Sequence, residues 1–336
     1  MPSVPPVSAI PRYRHALPQL DDALFLTDGG LETTLIFHDG HDLPHFAAYD
    51  LLSRDGGEEA LRRYFEPYVH IALEHGVGIV LETPTWRANP DWAALLGHSG
   101  EELEALNRRA VELLLELRDG FETDSTPIVV SGCIGPRGDG YMVGEAMSGE
   151  AAASYHGAQI RTLAEAGVDL VTAMTVTYVD EALGVVRAAG AAGLPAVISF
   201  TVETDGRLPS GQPLGEAIEE VDARSDGAAA YFMVNCAHPS HFYEVLEPGT
   251  EWTARIRGLR ANASRMSHAE LDEADELDAG NPEELALEYV ALREQLPSLT
   301  VLGGCCGTDH RHVDAISVAW RRLLASGNPQ ERTPAA

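Results

Sequence analysis

Eight short apolar runs alternate with longer helical patterns along this chain, and few folds accommodate that alternation. The runs are "ALFLTDGG" (23–30), "VGIVLETPT" (77–85), "TPIVVSGCIG" (126–135), "VDLVTAMTV" (168–176), "PAVISFTVE" (195–203), "AAYFMVNC" (229–236), a less sharply bounded one within "ARIRGLRANAS" (254–264), and "LTVLGGCCG" (299–307). They are continuous rather than alternating, which is the mark of strands buried on both faces of a parallel sheet. The segments between them carry the 3.6-residue period; Leu285, Tyr289, Leu292 and Leu296 share one helix face. Gly76, Gly167 and Gly193 stand where helices are expected to end. Eight βα units in 336 residues predict a single-domain α/β protein, a (β/α)8 TIM barrel. An open doubly wound sheet is the main alternative, but "TDGGLETTL" after the first run is not the G-x-G-x-x-G of a dinucleotide fold. The barrel is expected over residues 21–327. A Pro-rich, loosely ordered arm (1–20) precedes it and a disordered tail (328–336) follows.

The chain has 52 acidic and 23 basic residues, a formal charge of −29, which opposes binding to nucleic acid or to an anionic membrane. Every basic residue is arginine. The absence of lysine excludes Schiff-base, pyridoxal-phosphate and P-loop chemistry, each of which needs a lysine. No run reaches membrane-spanning length, and "MPSVPPVSAIPRYRHALPQL" lacks the apolar core of a secretory signal. A reducing, cytoplasmic setting is therefore expected, in which cysteines serve as thiols or metal ligands rather than disulfides.

Active sites of such barrels lie at the C-terminal ends of the strands. Asp28, Glu82, Thr83, Cys133, Thr175, Cys236, Cys305 and Cys306 all fall at those ends. Strands six and eight are one strand apart in a closed barrel, so Cys236 and the Cys305–Cys306 pair can face one point. Adjacent cysteines rarely bond to each other, because the bridge strains the peptide between them. Three converging thiolates suit Zn2+, with a fourth position left open as in a catalytic site. Zn2+ with three thiolates carries a net charge of −1. It is a weak Lewis acid but lowers the pKa of an incoming thiol, and attack by that thiolate on an electrophilic carbon is the reaction such a site favours.

Other candidates read as structural. Cys133 fits a buried apolar position. His238, His310 and His312 fall at helix starts, where surface and capping roles are common. The acidic stretch 268–284 reads as a solvated loop.

The segments "LTDGGLETTL", "SGCIGPRGDGY", "ISFTVETDGRLPSGQPL", "VNCAHP" and "GGCCGTDHRHVDAI" resemble, in order, the signatures of the homocysteine S-methyltransferase family, over about residues 20 to 327. The resemblance implies the barrel, zinc on Cys236, Cys305 and Cys306, and methyl transfer to the thiol of homocysteine to give methionine. It also implies substrate contacts at Asp28, Gly29, Gly30, Thr83 and Asn235. The partners implied are a small-molecule thiol and a methyl donor carrying a sulfonium or quaternary ammonium centre. Trp86 and Tyr141 are candidates to cup that cation or, equally, rim packing residues. The oligomeric state is left open. One departure stands out: Met174 occupies the position where relatives place a glutamate that holds the substrate ammonium. Losing that charge-assisted hydrogen bond costs roughly 1.5–3 kcal/mol. Glu32 or Glu82 is available to replace it, though no sequence feature selects between them. The acceptor is thus homocysteine or a different thiol. A zinc hydrolase would carry a His-x-His pair after the first strand, which is absent, and a non-catalytic zinc or redox sensor is the remaining alternative.

Overall fold

The computed structural model describes residues 10–274 and 276–326, so the expected tail and the first nine residues of the expected arm lie outside the described residues. Eight parallel strands close a barrel in chain order: β1 (Phe25–Leu26), β2 (Gly78–Glu82), β3 (Ile128–Ile134), β4 (Leu170–Val176), β5 (Ala196–Phe200), β6 (Ala229–Asn235), β7 (Ile256–Ala261) and β8 (Val301–Gly304). Phe25 is in register with Val301, and this pairing closes the cylinder. The less sharply bounded seventh run is thereby placed. The first run shortens to two residues, since beyond Leu26 the chain keeps bonding only to β8, with Thr27 N–H donating to Leu302 O and Gly304 N–H to Asp28 O. Helices follow the strands on the outside. The helix Gly57–His75 ends at Gly76, Gly149–Ala166 ends at Gly167, and Leu285, Tyr289 and Leu292 of Pro282–Leu292 are buried as the periodicity predicts. Among the described residues no helix is long and apolar enough to cross a membrane.

Alternate residues of each strand point into the barrel. Phe25, Val80, Val129, Leu170, Val197, Tyr231, Met233 and Val301 fill its lower part, with Cys133 and Met174 above them. Part of the segment expected to be a loose arm packs here instead. Leu17 joins this core, Gln19 is fully buried, and Arg14 donates to the carbonyls of Ala164 and Val168 at the end of a helix. The physical reason is the open bottom of the barrel, whose apolar lumen needs a cover. Proline content spoke for disorder, but the apolar and hydrogen-bonding residues between the prolines dock.

Two buried charge arrangements bracket the lumen. Near the bottom, Arg118 Nη1 lies 2.9 Å from Asp169 Oδ2, both side chains being almost fully buried. Asp169 also accepts from the backbone N–H groups of Val130 and Tyr13, so it ties the N-terminal segment to β3. Near the top, Glu82 is 5% exposed and its Oε2 has no hydrogen-bond partner among the described residues. Burial pushes its carboxyl up to about 7 from an ordinary 4.5.

Asp169→Ala is expected to cost about 3–5 kcal/mol in a urea titration, because it strands a buried guanidinium. A loss below 1 kcal/mol would show that Arg118 finds water or another partner. For Glu82 the sign is opposite. The native carboxyl holds its proton up to about pH 7 while the unfolded one releases it near 4.5, so stability falls as pH rises through that window. Glu82→Gln should therefore stabilise the substrate-free protein by roughly 3 kcal/mol at pH 8 and not at pH 4. Equal gains at both pH values would place the effect in packing rather than charge.

Candidate metal centre

Cys236 follows the last residue of β6, and Cys305 and Cys306 follow the last residue of β8. The loop after β8 is held from three sides. Cys305 N–H donates to Ala261 O (2.8 Å), Ala263 N–H to Cys306 O (3.0 Å), and Gly30 N–H to Thr308 O (3.0 Å). Thr308 Oγ1 turns back onto Cys305 O at 2.7 Å. A side chain at Gly304 would place its Cβ 2.0 Å from that hydroxyl, and Gly307 adopts φ +78°, so both positions need glycine for the turn that aims the sulfurs inward.

All three sulfurs lie within 4.8 Å of one another, with 3.7 Å between Cys236 Sγ and Cys306 Sγ. That separation is far too long for a disulfide. It matches the edge of a tetrahedron of thiolates at zinc–sulfur bond length, about 3.8 Å. The cluster is capable of coordinating a metal ion. The thiols lie within hydrogen-bond reach of one another. Hydrogen bonds from Cys305 and Cys306 hold Cys236 well below the ordinary thiol value, while donating to Cys236 pushes Cys305 up to about 12 and Cys306 well above its usual range.

The backbone next to these sulfurs is strained. Cys236 has φ +54° and Thr175, at the end of β4, has φ +61°, a region that non-glycine residues rarely enter. Asn235 joins the two. Its Oδ1 accepts from Thr175 N–H (2.8 Å) and Ser199 Oγ (2.6 Å), and its Nδ2 donates to Thr175 Oγ1 (2.9 Å), with Cys305 Sγ 4.0 Å away. Asn262 and His268 both donate to the carbonyl of Cys236, at 3.1 and 2.6 Å.

Residues singled out from the sequence fall into two groups. Asp28, Gly29, Gly30 and Asn235 border the sulfurs, but most of their polar groups are engaged. Asp28 Oδ1 lies 2.8 Å from Arg260 Nη2 and its Oδ2 accepts from Tyr64 Oη at 2.9 Å, while Gly29 O accepts from Arg260. Thr83 is buried, with Oγ1 accepting from Cys133 N–H and bonding to Thr85. Cys133 sits apart in the lumen core, its thiol pushed well up by burial. His238 caps a short helix and is buried, held down to about 4 by desolvation. His312 is buried against Ala279 O, and His310 is exposed, so no histidine joins the cluster. Met174 packs in the lumen.

Two contributors were not singled out, and a third was weighed in a different role. Arg260 is buried in β7 and bridges Asp28, Gly29 O and Gly304 O; a lone arginine in the least regular run carried no signal. Tyr141, weighed only as a cation cup, places its hydroxyl 3.4 Å from Cys236 Sγ and 3.8 Å from Cys306 Sγ. His268 stacks on the Tyr141 ring at 4.2 Å. The expectation of a solvated loop over 268–284 is corrected accordingly. A capped helical turn, His268–Asp272, starts it, and Ala279 O holds His312 beside the cysteine loop. The acidic residues that dominate its composition hid the one buried histidine.

With this geometry established, comparison with known proteins is informative. The family model for homocysteine S-methyltransferases matches residues 25–320. The chain is 26% identical over 311 residues to homocysteine S-methyltransferase 1 of Arabidopsis thaliana, covering 87% of this chain and 92% of that one. It is 28% identical over 329 residues to a selenocysteine methyltransferase of Astragalus bisulcatus, covering 89% and 92%. The crystal structure of the homocysteine methyltransferase MmuM from Escherichia coli in oxidised form shares the fold with a TM-score of 0.71 at 21% identity, covering 91% of this chain and 99% of that one. Its metallated form gives 0.67 at 20% identity, covering 90% and 98%. A match spanning nearly the whole barrel, ending in the strands and loops that gather three cysteines, means that the chain belongs to the homocysteine S-methyltransferase family.

Proposed function

We propose that this protein transfers a methyl group from a sulfonium or quaternary ammonium donor to the thiol of homocysteine, giving methionine, with zinc held by Cys236, Cys305 and Cys306. The observation that carries the reading is the three-sulfur cluster, whose spacing fits a tetrahedral thiolate site and whose ring of ligands is incomplete without a fourth. The zinc, when bound, supplies a means of holding the substrate thiol as a thiolate near neutral pH.

The chain's own residues do the rest. Asn235 and His268 hold the backbone of the cysteine loops, so that the sulfurs stay aimed at one point. The Tyr141 hydroxyl lies over Cys236 and Cys306 with His268 against its ring, while Cys305 and Cys306 remain partly exposed to an incoming thiol. Charge favours the donor class. A negative centre facing a positively charged methyl carrier is neutralised as the methyl moves, so the attraction is built into the transition state. Asp28, whose Oδ1 faces Arg260 at 2.8 Å but is without a hydrogen-bond partner, is available to receive the substrate ammonium, as are Glu32 and Glu82. Both glutamates are pushed up to about 7 by burial, and a bound cation would return them to the charged form.

Cys236→Ala, Cys305→Ala and Cys306→Ala should each reduce methyl transfer to background and lower zinc content. Full activity in any one of them removes that cysteine from the site. Zinc K-edge absorption on anaerobically purified protein should show three sulfurs, rising to four with homocysteine. A site without zinc–sulfur bonds sinks the proposal. Loading zinc at pH 7 should release fewer than three protons, because hydrogen bonds hold the Cys236 thiol well down while Cys305 and Cys306 are pushed up. A pH indicator in weak buffer measures this, and release of three protons would mean that none of the three thiols is ionised before zinc binds.

A further inference from the structure

Arg87 lies in the loop after β2 and is 7% exposed. Its guanidinium is clamped between two indoles, 4.0 Å from the ring centroid of Trp86 and 4.0 Å from that of Trp92. Trp86 is itself fixed, donating Nε1–H to Met174 O at 3.4 Å and packing against the lumen core. The face of Trp86 that a methyl donor's cation would need is thus covered by the protein's own arginine. Nη1 of Arg87 donates to Gly138 O at 2.8 Å, while Nε is buried and has no partner. Among the described residues, no carboxylate lies within ion-pair distance of it. Gly138, which accepts from Arg87, lies three residues before Tyr141, the residue over the sulfurs. The Trp86 ring that holds the guanidinium lies against Gly140 of the same loop, 2.9 Å from where a Cβ would stand there.

Two indole faces hold a guanidinium in one plane and satisfy its charge in part, but they accept no N–H hydrogen bond of the carboxylate kind. A buried cation with an unpartnered donor is costly unless an anion arrives. The backbone N–H of Gly30, one of the implied substrate contacts, is already given to Thr308 O and so is not free for a carboxylate. We propose that Arg87 is the carboxylate-binding residue of the active site, taking the α-carboxylate of a substrate whose sulfur lies over Cys236, Cys305 and Cys306. This rests on the functional reading above for the identity of the ligand. A guanidinium edge and a planar carboxylate are complementary as a bidentate pair, which lysine or glutamine cannot reproduce. The same chemistry is offered by an amino-acid thiol acceptor and by a sulfonium donor built on an amino acid.

The test uses zinc-loaded full-length protein and paired ligands that differ by the carboxylate. Homocysteine is compared with 3-aminopropane-1-thiol by calorimetric titration, and S-methylmethionine with (3-aminopropyl)dimethylsulfonium by steady-state kinetics. Arg87→Met is expected to weaken homocysteine roughly 10- to 100-fold and to leave the aminothiol unchanged. If instead the KM of S-methylmethionine rises by that factor and that of (3-aminopropyl)dimethylsulfonium does not, the carboxylate is the donor's and the assignment of Arg87 stands. Arg87→Lys should restore part of the loss, and zinc content and melting temperature report whether each variant is folded. Loss of affinity for both members of each pair alike, or for none, overturns the proposal. The two readings fail separately. Normal addition of a fourth sulfur to zinc without carboxylate discrimination sinks only the role of Arg87, whereas a wild-type site that takes up no thiol sinks both.

Discussion

The buried pairing of Arg260 with Asp28 is the contact on which the site's geometry depends. One guanidinium reaches Asp28 Oδ1, Gly29 O and Gly304 O, so it binds the loop after β1 to the end of β8 from a position in β7. Those are the segments that carry the cysteine pair and the wall beside it. A buried ion pair of this kind adds little net stability, since the desolvation of both charges opposes their attraction. Its effect is on geometry. Displacing either loop would leave a charge unpaired inside the barrel. Three strand ends therefore move as one unit, and the Cys305–Cys306 turn inherits its position from them.

Strain is the second ingredient. Thr175 and Cys236 both occupy left-handed backbone conformations, at a cost of order 1–3 kcal/mol each. Asn235 and Ser199 hold Thr175 in place, and Asn262 and His268 hold the Cys236 carbonyl. The consequence is that Cys236 Sγ points across the mouth toward Cys306, where an extended continuation of β6 would carry it away along the barrel wall. The register shift between β4 and β5, between Ala173 and Val176, accompanies the departure from regular strand geometry at Thr175.

The site's electrostatics also differ from a simple negative funnel. The protein is strongly acidic overall, yet the mouth holds two buried arginines, Arg87 and Arg260, interleaved with Asp28, Glu32 and Glu82. Arg260 is matched by a carboxylate and Arg87 is not. Glu82 likewise has an oxygen without a partner. A buried carboxyl and a buried guanidinium, each with an atom left unpartnered near the end of β2, suit a zwitterionic ligand, and its arrival would relieve the desolvation of both. Met174, apolar and packed in the lumen, offers no charge to such a ligand.

The sequence by itself determined the barrel and the metal-binding chemistry. Continuous apolar runs and 3.6-residue periods are local signals, repeated eight times, and burial on both faces is written into each one. The Cys305–Cys306 pair between glycines is local too, and chain order alone brings Cys236 one strand away from it. Only the tertiary structure decided that Asp28 faces Arg260, that Tyr141 lies over the sulfurs, that the segment Tyr13–Gln19 closes the barrel bottom, and that no carboxylate of the described residues reaches Arg87. Trp86 and Trp92 flank Arg87 within one short segment of chain, but the other meetings are between segments tens or hundreds of residues apart. No period or motif encodes such a meeting. It follows from the closure of the barrel, which brings eight separate loop ends to one mouth and leaves each polar group to find its partner there.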